Sequence, residues 1–251
     1  SQILRAKGEQ IRRRHRAVTR RRQAAKTKDL VRTIALGQLD RDSLKLIQIP
    51  GVVRIGLAGG IHSVAGSVAA HAFASAGFEV AIVEEGPWLK TREVREDVHS
   101  TFDRVMRMRG MQVLQGRSFM PLIQGRCVGG STLVNSAIAW RAPEDVIDDW
   151  SDRFGLGESI AASTLEEHYE ALERDLSVRE VHPDAMGENN RLFVQQAKRH
   201  GFEAAPMRRY DKGCTGSGMC ITACPTAAKQ GMSVTYVPWA LRTGRARIFT
   251  S

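Results

Sequence analysis

The sequence predicts an α/β fold, and three observations predict it. Two short apolar runs, Val52 to Leu57 and Phe78 to Val83, have the length and composition of strands and flank an alanine-rich segment, Ser67 to Ala76, with a helical pattern. The second run ends in Glu84-Glu85-Gly86, which puts an acid at the carboxyl end of a strand. Further on, Gly129-Gly130-Ser131-Thr132 opens onto the apolar run Leu133 to Trp140, so a glycine turn leads directly into a buried element.

Residues 1–48 read as a basic helical arm. They lack proline until Pro50, and Leu4, Ile11, Val18 and Ala25 recur every seven positions. Residues 1–28 hold eleven Lys or Arg and a single acid, Glu9, so they carry the whole formal net charge of +10, and the rest of the chain is neutral. The high isoelectric point therefore describes the arm and says nothing of the globular part. Contact with an anionic membrane surface or an acidic partner suits such an arm; nucleic acid is disfavoured, because aromatics that would stack bases are missing.

Pro50-Gly51 turns the chain into the first strand. Strand, glycine-bearing segment (Gly59 to Gly66), helix, strand and terminal acid together make the first unit of a dinucleotide-binding fold. There a helix amino terminus holds a pyrophosphate, and Glu84, or alternatively Glu85, hydrogen-bonds ribose hydroxyls. The glycine fingerprint departs from its usual form. Its third glycine falls on Gly66, but the first two positions are Ile61 and Ser63, and a side chain at Ser63 stands where the backbone should approach the pyrophosphate.

Thr91 to about Met111 reads as one helix, with Arg104, Arg107 and Arg109 on a solvated face and Met106, Met108 and Met111 as core filling. In the glycine-rich stretch Gly125 to Arg141, adjacent glycines and hydroxyls offer N–H and O–H donors to an anion, and the Asn135 amide is left free for a ligand. Thr164 to Leu176 is a helix entered through an apparent capping box, Ser163 to Glu166, with Glu166, Glu167, Glu170 and Glu173 in solvent. Asn190 to Lys198 is another helix.

The stretch 125–141 resembles the flavin loop of the glucose-methanol-choline (GMC) oxidoreductases. Gly125, Arg126, Val128, Gly129, Gly130, Ser131, Thr132 and Asn135 carry the match, and Arg141 and Trp150 fall where that family tends to have an Arg and a Trp. A second stretch, Cys224-Pro225 through Ala228-Lys229-Gln230 to Gly244, is similar to the long-chain alcohol oxidase subgroup. The resemblance implies a Rossmann-like FAD-binding domain, incomplete here, with part of a substrate domain. The expected division is 1–48 arm, 49–160 first part of the FAD domain, 161–232 partial substrate region, and 233–251 return to the FAD domain.

It also implies FAD as cofactor and oxidation of the CH–OH group of a small-molecule alcohol by hydride transfer to the flavin. The residues expected at the cofactor are Ser63, Gly66, Glu84, Glu85, Gly125, Arg126, Val128, Gly129, Gly130, Ser131, Thr132, Asn135, Ser136 and Ala137. The family's catalytic histidine lies in a carboxyl-terminal region, so no catalytic base is assigned among the seven histidines, and the chain is expected to be inactive alone, whether a fragment, a subunit completed by another chain or a degenerate remnant.

The cysteines leave alternatives open. Cys214, Cys220 and Cys224 follow a ferredoxin-like spacing with Ser217 in place of one ligand, which suits an iron–sulfur electron-transfer protein; a zinc site completed by a histidine, or thiols packed near the substrate region, suit it too. Packed thiols, with no metal, are preferred. Four cysteines are too few for a disulfide framework, no apolar run reaches membrane-span length and no signal sequence is evident, so the expected compartment is the cytoplasm. A non-enzymatic, polyanion-binding protein with a basic arm is the remaining alternative.

Overall fold

The computed structural model describes residues 52–57, 62–95 and 97–251. The expected basic arm, 1–48, lies outside the described residues, as do Ile61 and the link that precedes it. In chain order the elements are β1 (Val52–Leu57), α1 (His62–Ser75), β2 (Glu79–Glu84), α2 (Val98–Val105), β3 (Val113–Leu114), β4 (Met120–Pro121), α3 (Glu144–Phe154), α4 (Ala162–Asp175), β5 (Val178–Glu180), α5 (Glu188–Arg199), β6 (Arg208–Tyr210), α6 (Tyr236–Arg242) and β7 (Ala246–Thr250), joined by turns and single-turn helices.

β1, β2 and β7 form a parallel sheet with β2 in the middle. Val53 lies opposite Val80 and Ile55 opposite Ile82, while Val80 and Ile82 face Ala246 and Ile248 on the other side. Parallel neighbours need a crossover, and α1 supplies the one from β1 to β2. Alanine dominates α1 because that helix packs close against its neighbours: Ala70, Phe73 and Ala74 form one core with Val80, Ile82, Val237, Ala240 and Ala246. Burying Ile82 completely stabilises the fold by about 2 kcal/mol. Val128 from the glycine-rich stretch belongs to the same core, so that loop is anchored on the sheet.

α1 ends where the sequence says it should. Gly77 adopts φ 95°, the Gly77 N–H bonds to the Ala74 carbonyl at 3.1 Å, and the Phe78 N–H reaches back to the Phe73 carbonyl at 3.0 Å. Its start differs from expectation. The helix begins at His62, so Ser63 and Gly66 lie inside its first turns rather than ahead of it. β2 is also less buried than a core strand: Val80, Ile82 and Glu84 point inward, while Val83 is exposed.

The helix expected over 91–111 is broken. Asp97 caps α2 by accepting the His99 and Ser100 N–H groups, and the chain leaves the helix at Met106, which is extended and bridges Gly125. Met108 and Arg109 then take left-handed backbone conformations. Met106 is buried as expected, but Met108 and Met111 are 67% and 76% exposed, because the left-handed turn swings them out of the core. Each of the three arginines finds a partner: Arg104 pairs with Glu93, Arg107 with Glu85 and Arg109 with Asp103.

The capping box at Ser163 does not form, since α4 starts at Ala162 with no side-chain cap. Glu166 and Glu173 are not merely solvated. Arg141 binds both, and Arg208 binds Glu173 through two further bonds of 2.9 and 2.8 Å. No helix among the described residues is long and apolar enough to cross a membrane.

Candidate functional site

The end of β2, the helix α1 and the glycine-rich loop meet. The turn Gly130–Thr132 packs against α1, and the Val128 N–H bonds to the Pro87 carbonyl at 3.0 Å, just past β2. Gly86 makes that approach possible: a Cβ there would stand 2.1 Å from the Arg126 carbonyl oxygen.

Glu84 is the polar centre of this junction. Only 2% of it is exposed. Its Oε1 accepts the Gly86 N–H at 3.0 Å, and its Oε2 has no partner among the described residues. Burial raises its pKa to about 7, against the opposing influence of the Gly86 hydrogen bond and of the Arg107 and Arg126 charges. A buried carboxyl oxygen without a partner costs free energy unless a donor arrives, and a ribose hydroxyl is such a donor. Glu85, the other candidate acid, is committed to Arg107. Arg126 is exposed, with its N–H on the Val105 carbonyl.

The loop itself is less open to an anion than its glycines suggest. A Cβ on Gly125 would meet the Gly130 carbonyl oxygen at 2.4 Å, and one on Gly129, where φ is 91°, would meet the Ser233 nitrogen at 2.8 Å. Both glycines therefore serve close packing of the chain against itself. Most donors also turn inward. The Gly130, Thr132, Leu133 and Val134 N–H groups bond within the turn. Thr132 Oγ1 donates to the Gly129 carbonyl at 2.6 Å and accepts the Met232 N–H at 3.0 Å, while Ser131 Oγ accepts the Gly125 N–H at 3.2 Å.

Asn135 is not the free amide that the sequence suggests. Its Oδ1 accepts the Ala137 N–H at 3.0 Å and the Tyr210 hydroxyl. The Ala137 carbonyl in turn accepts the Tyr210 N–H, and the Ala139 N–H bonds to the Arg208 carbonyl, so 137–139 runs along β6. This pairing explains why Ala137 tolerates φ 59°. Nor is the run to Trp140 continuously buried, with Ile138 and Trp140 46% and 78% exposed. Ser136 is exposed and, with Ser131, Asn135, Met106 and Ile221, lines a cavity of about 290 Å³. No histidine among the described residues lines this cavity or the second one of similar volume beside Trp88, Thr132 and Cys224.

Lys229 is the residue that sequence reasoning left without a role. It is 4% exposed, and its Nζ donates to the carbonyls of Leu133 (2.6 Å), Asn135 (2.9 Å) and Cys220 (2.5 Å). Burial pulls its pKa down to about 8. A lysine inside an otherwise apolar and cysteine-bearing segment was the available signal.

The four cysteines are free thiols. Cys127 is fully buried, with Sγ on the Gly130 carbonyl, and burial pushes its pKa up to about 12. Cys220 Sγ accepts from Arg209 Nη2 at 2.8 Å. Among the described residues, no three His, Cys, Asp or Glu side chains are gathered as a metal site.

The family model described as GMC oxidoreductase matches residues 59–251. The chain is 36% identical over 187 residues to a GMC-type oxidoreductase of Mycobacterium tuberculosis, covering 74% of this chain and 29% of that protein. It is 28% identical to a GMC-type oxidoreductase of Sinorhizobium fredii, covering 71% of this chain and 35% of the relative. It is 25% identical to a long-chain-alcohol oxidase of Arabidopsis thaliana, covering 71% of this chain and 24% of that protein. The chain thus spans about a third or less of the length of these relatives.

Proposed function

Because the chain belongs to the GMC oxidoreductase family, we propose that it forms the amino-terminal part of an FAD-binding, Rossmann-like unit in an enzyme that oxidises the CH–OH group of an alcohol. The observation that carries this reading is the buried Glu84 carboxyl at the end of β2, with its Oε2 unpartnered among the described residues and Arg126 and Cys127 of the loop near enough to interact with it. Its place at the carboxyl end of the strand after the first helix supports a role toward a ribose, since such folds hold the ribose with an acid there.

Bound FAD would supply the hydride acceptor. The chain's own groups would do the holding. Glu84 accepts ribose hydroxyls through Oε2. The amino terminus of α1, with Ser63 in its first turn, would favour a pyrophosphate through the helix dipole. Gly66, one turn on, would be the glycine that lets the helix lie close to the sheet on such a fold. The frame from Gly125 to Ala137, with Arg126, Val128, Gly129, Gly130, Ser131 and Thr132, holds the ring end, and Asn135 and Ser136 face it. Glu85 pairs with Arg107, which leaves Glu84 as the ribose acid in this reading. In this reading 49–160 and 233–251 belong to the cofactor unit and 161–232 to the substrate side. The long-chain-alcohol oxidase among the relatives favours an apolar alcohol.

Titrating the chain with FAD while following flavin fluorescence tests the reading. Saturable binding near one FAD per chain, weakened by Glu84→Ala, is expected. Failure of the wild-type chain to bind FAD would refute it.

A second reading concerns electron transfer at Cys214, Cys220 and Cys224. Arg209 touches Cys220 and its charge also acts on Cys214, while the Lys229 ammonium acts on Cys220 and Cys224. An iron–sulfur cluster on these three residues would be held by their sulfurs as thiolates. Such a cluster would require the thiols to draw together. Iron and acid-labile sulfide in stoichiometric amount in the purified chain would establish it.

A further inference from the structure

Lys229 is a buried cation that forms no ion pair among the described residues; its three N–H bonds all go to backbone carbonyls. Burying an ammonium is costly, and charge-assisted bonds of 2.5 to 2.9 Å offset that cost only while all three acceptors stay in place. Two of the acceptors, Leu133 and Asn135, are alternate residues of one short stretch, so the side chain fixes two peptide planes at once.

Planarity then dictates where the neighbouring donor points. In a trans peptide the N–H lies opposite the carbonyl of the preceding residue. With the Asn135 carbonyl held on Lys229, the Ser136 N–H is turned to the other side. That N–H has no partner among the described residues, and Ser136 and Asn135 line the cavity of about 290 Å³ that Lys229 does not reach. The same stretch is braced from a second direction by the Tyr210 hydroxyl on Asn135 Oδ1, so it cannot swing to satisfy the donor internally.

We propose that Lys229 is a positioning residue for the electron-accepting ring: by holding the Leu133 and Asn135 carbonyls it presents the Ser136 N–H to the cavity, where it donates to a ring heteroatom. This rests on the flavin reading above. With FAD bound, a donor fixed in advance would favour negative charge on the ring without reorganisation, the physical basis of electrostatic preorganisation. Lys229 touches no ring atom in this arrangement; it acts through the backbone.

The test uses the wild-type chain and Lys229→Met. Amide hydrogen exchange of Ser136 in the wild type is expected to slow about tenfold or more when FAD is added, since a fixed hydrogen bond replaces solvent. Lys229→Met is expected to weaken FAD binding about tenfold and to move the bound flavin's visible maxima toward those of free flavin. No FAD binding by the wild type would sink the functional reading and this inference with it. Binding with unaltered Ser136 exchange, or a folded Lys229→Met protein with wild-type affinity and spectrum, would overturn this inference alone. Should Lys229→Met fail to fold, Lys229→Arg, which keeps the charge but not the three-carbonyl geometry, takes its place, and wild-type affinity and spectrum in that protein would overturn the inference.

Discussion

The backbone of Arg126 lies so close to Gly86 that a Cβ on the glycine would stand 2.1 Å from its carbonyl oxygen. The end of β2 and the loop 125–137 are therefore in backbone contact, and the acid at position 84 is held against that loop by main chain rather than by adaptable side chains.

Gly86→Ala should accordingly be severe. The new methyl meets backbone, which cannot yield as a flexible side chain does, and a loss of at least about 2 kcal/mol is expected. Urea unfolding of the two proteins measures it, with Gly116→Ala, whose Cβ meets nothing within 4 Å, as a control expected to be near neutral.

Glu84 makes a pH-dependent contribution. Its folded pKa, about 7, is above the value of 4.5 it has when unperturbed, so the folded state holds the proton more tightly. The stabilisation is fully present below about pH 4.5 and is lost as pH rises through 7, a difference of about 3 kcal/mol if the whole shift is expressed. Glu84→Gln should remove this slope and be the more stable protein at pH 8. Ribose hydroxyls donate best to the ionised carboxyl, so FAD affinity of the wild type should rise up to about tenfold from pH 6 to pH 8. Denaturation and flavin titrations at both pH values check the two halves separately.

Tyr210→Phe removes the hydroxyl that holds Asn135 Oδ1 while leaving the bond from the Ala137 N–H. A loss of about 1 kcal/mol in stability is expected, with FAD affinity reduced a few-fold by the loosened loop. Calorimetric melting and the same titration measure both.

Glu173 is gripped by Arg141 and Arg208, whose hydrogen bonds hold its pKa down at about 2. Its contribution is present above pH 4.5 and fades as pH falls through 2. Both arginines are partly exposed, so solvent screening limits the gain to about 1 kcal/mol. Glu173→Gln should lower the melting temperature by a few degrees and leave FAD affinity unchanged.

Much of the architecture was readable in advance because it is local. β1 matches its expected bounds, Gly77 ends α1, and Glu84 stands at the end of β2, all set by residues adjacent in sequence. The break at Asp97 and the left-handed pair Met108 and Arg109 were not, since no glycine or proline marks the kink until Gly110. The site was legible in its residue types and less so in its geometry. Gly125 and Gly129 look like a cradle in sequence, but the atoms that require them, Gly130 and Ser233, include one far along the chain. Lys229 shows the same limit, because its three acceptors span two segments that only folding brings together.

The sealed thiol of Cys127 gives this protein an internal reporter. A bulky disulfide reagent added to the native chain should react with the three partly accessible cysteines and spare Cys127, whose sulfur is shielded and resists ionisation. The slow fourth equivalent would then time how often the loop parts from Leu89, Val105 and Leu133 around it, and ligands that clamp the loop would lengthen the interval.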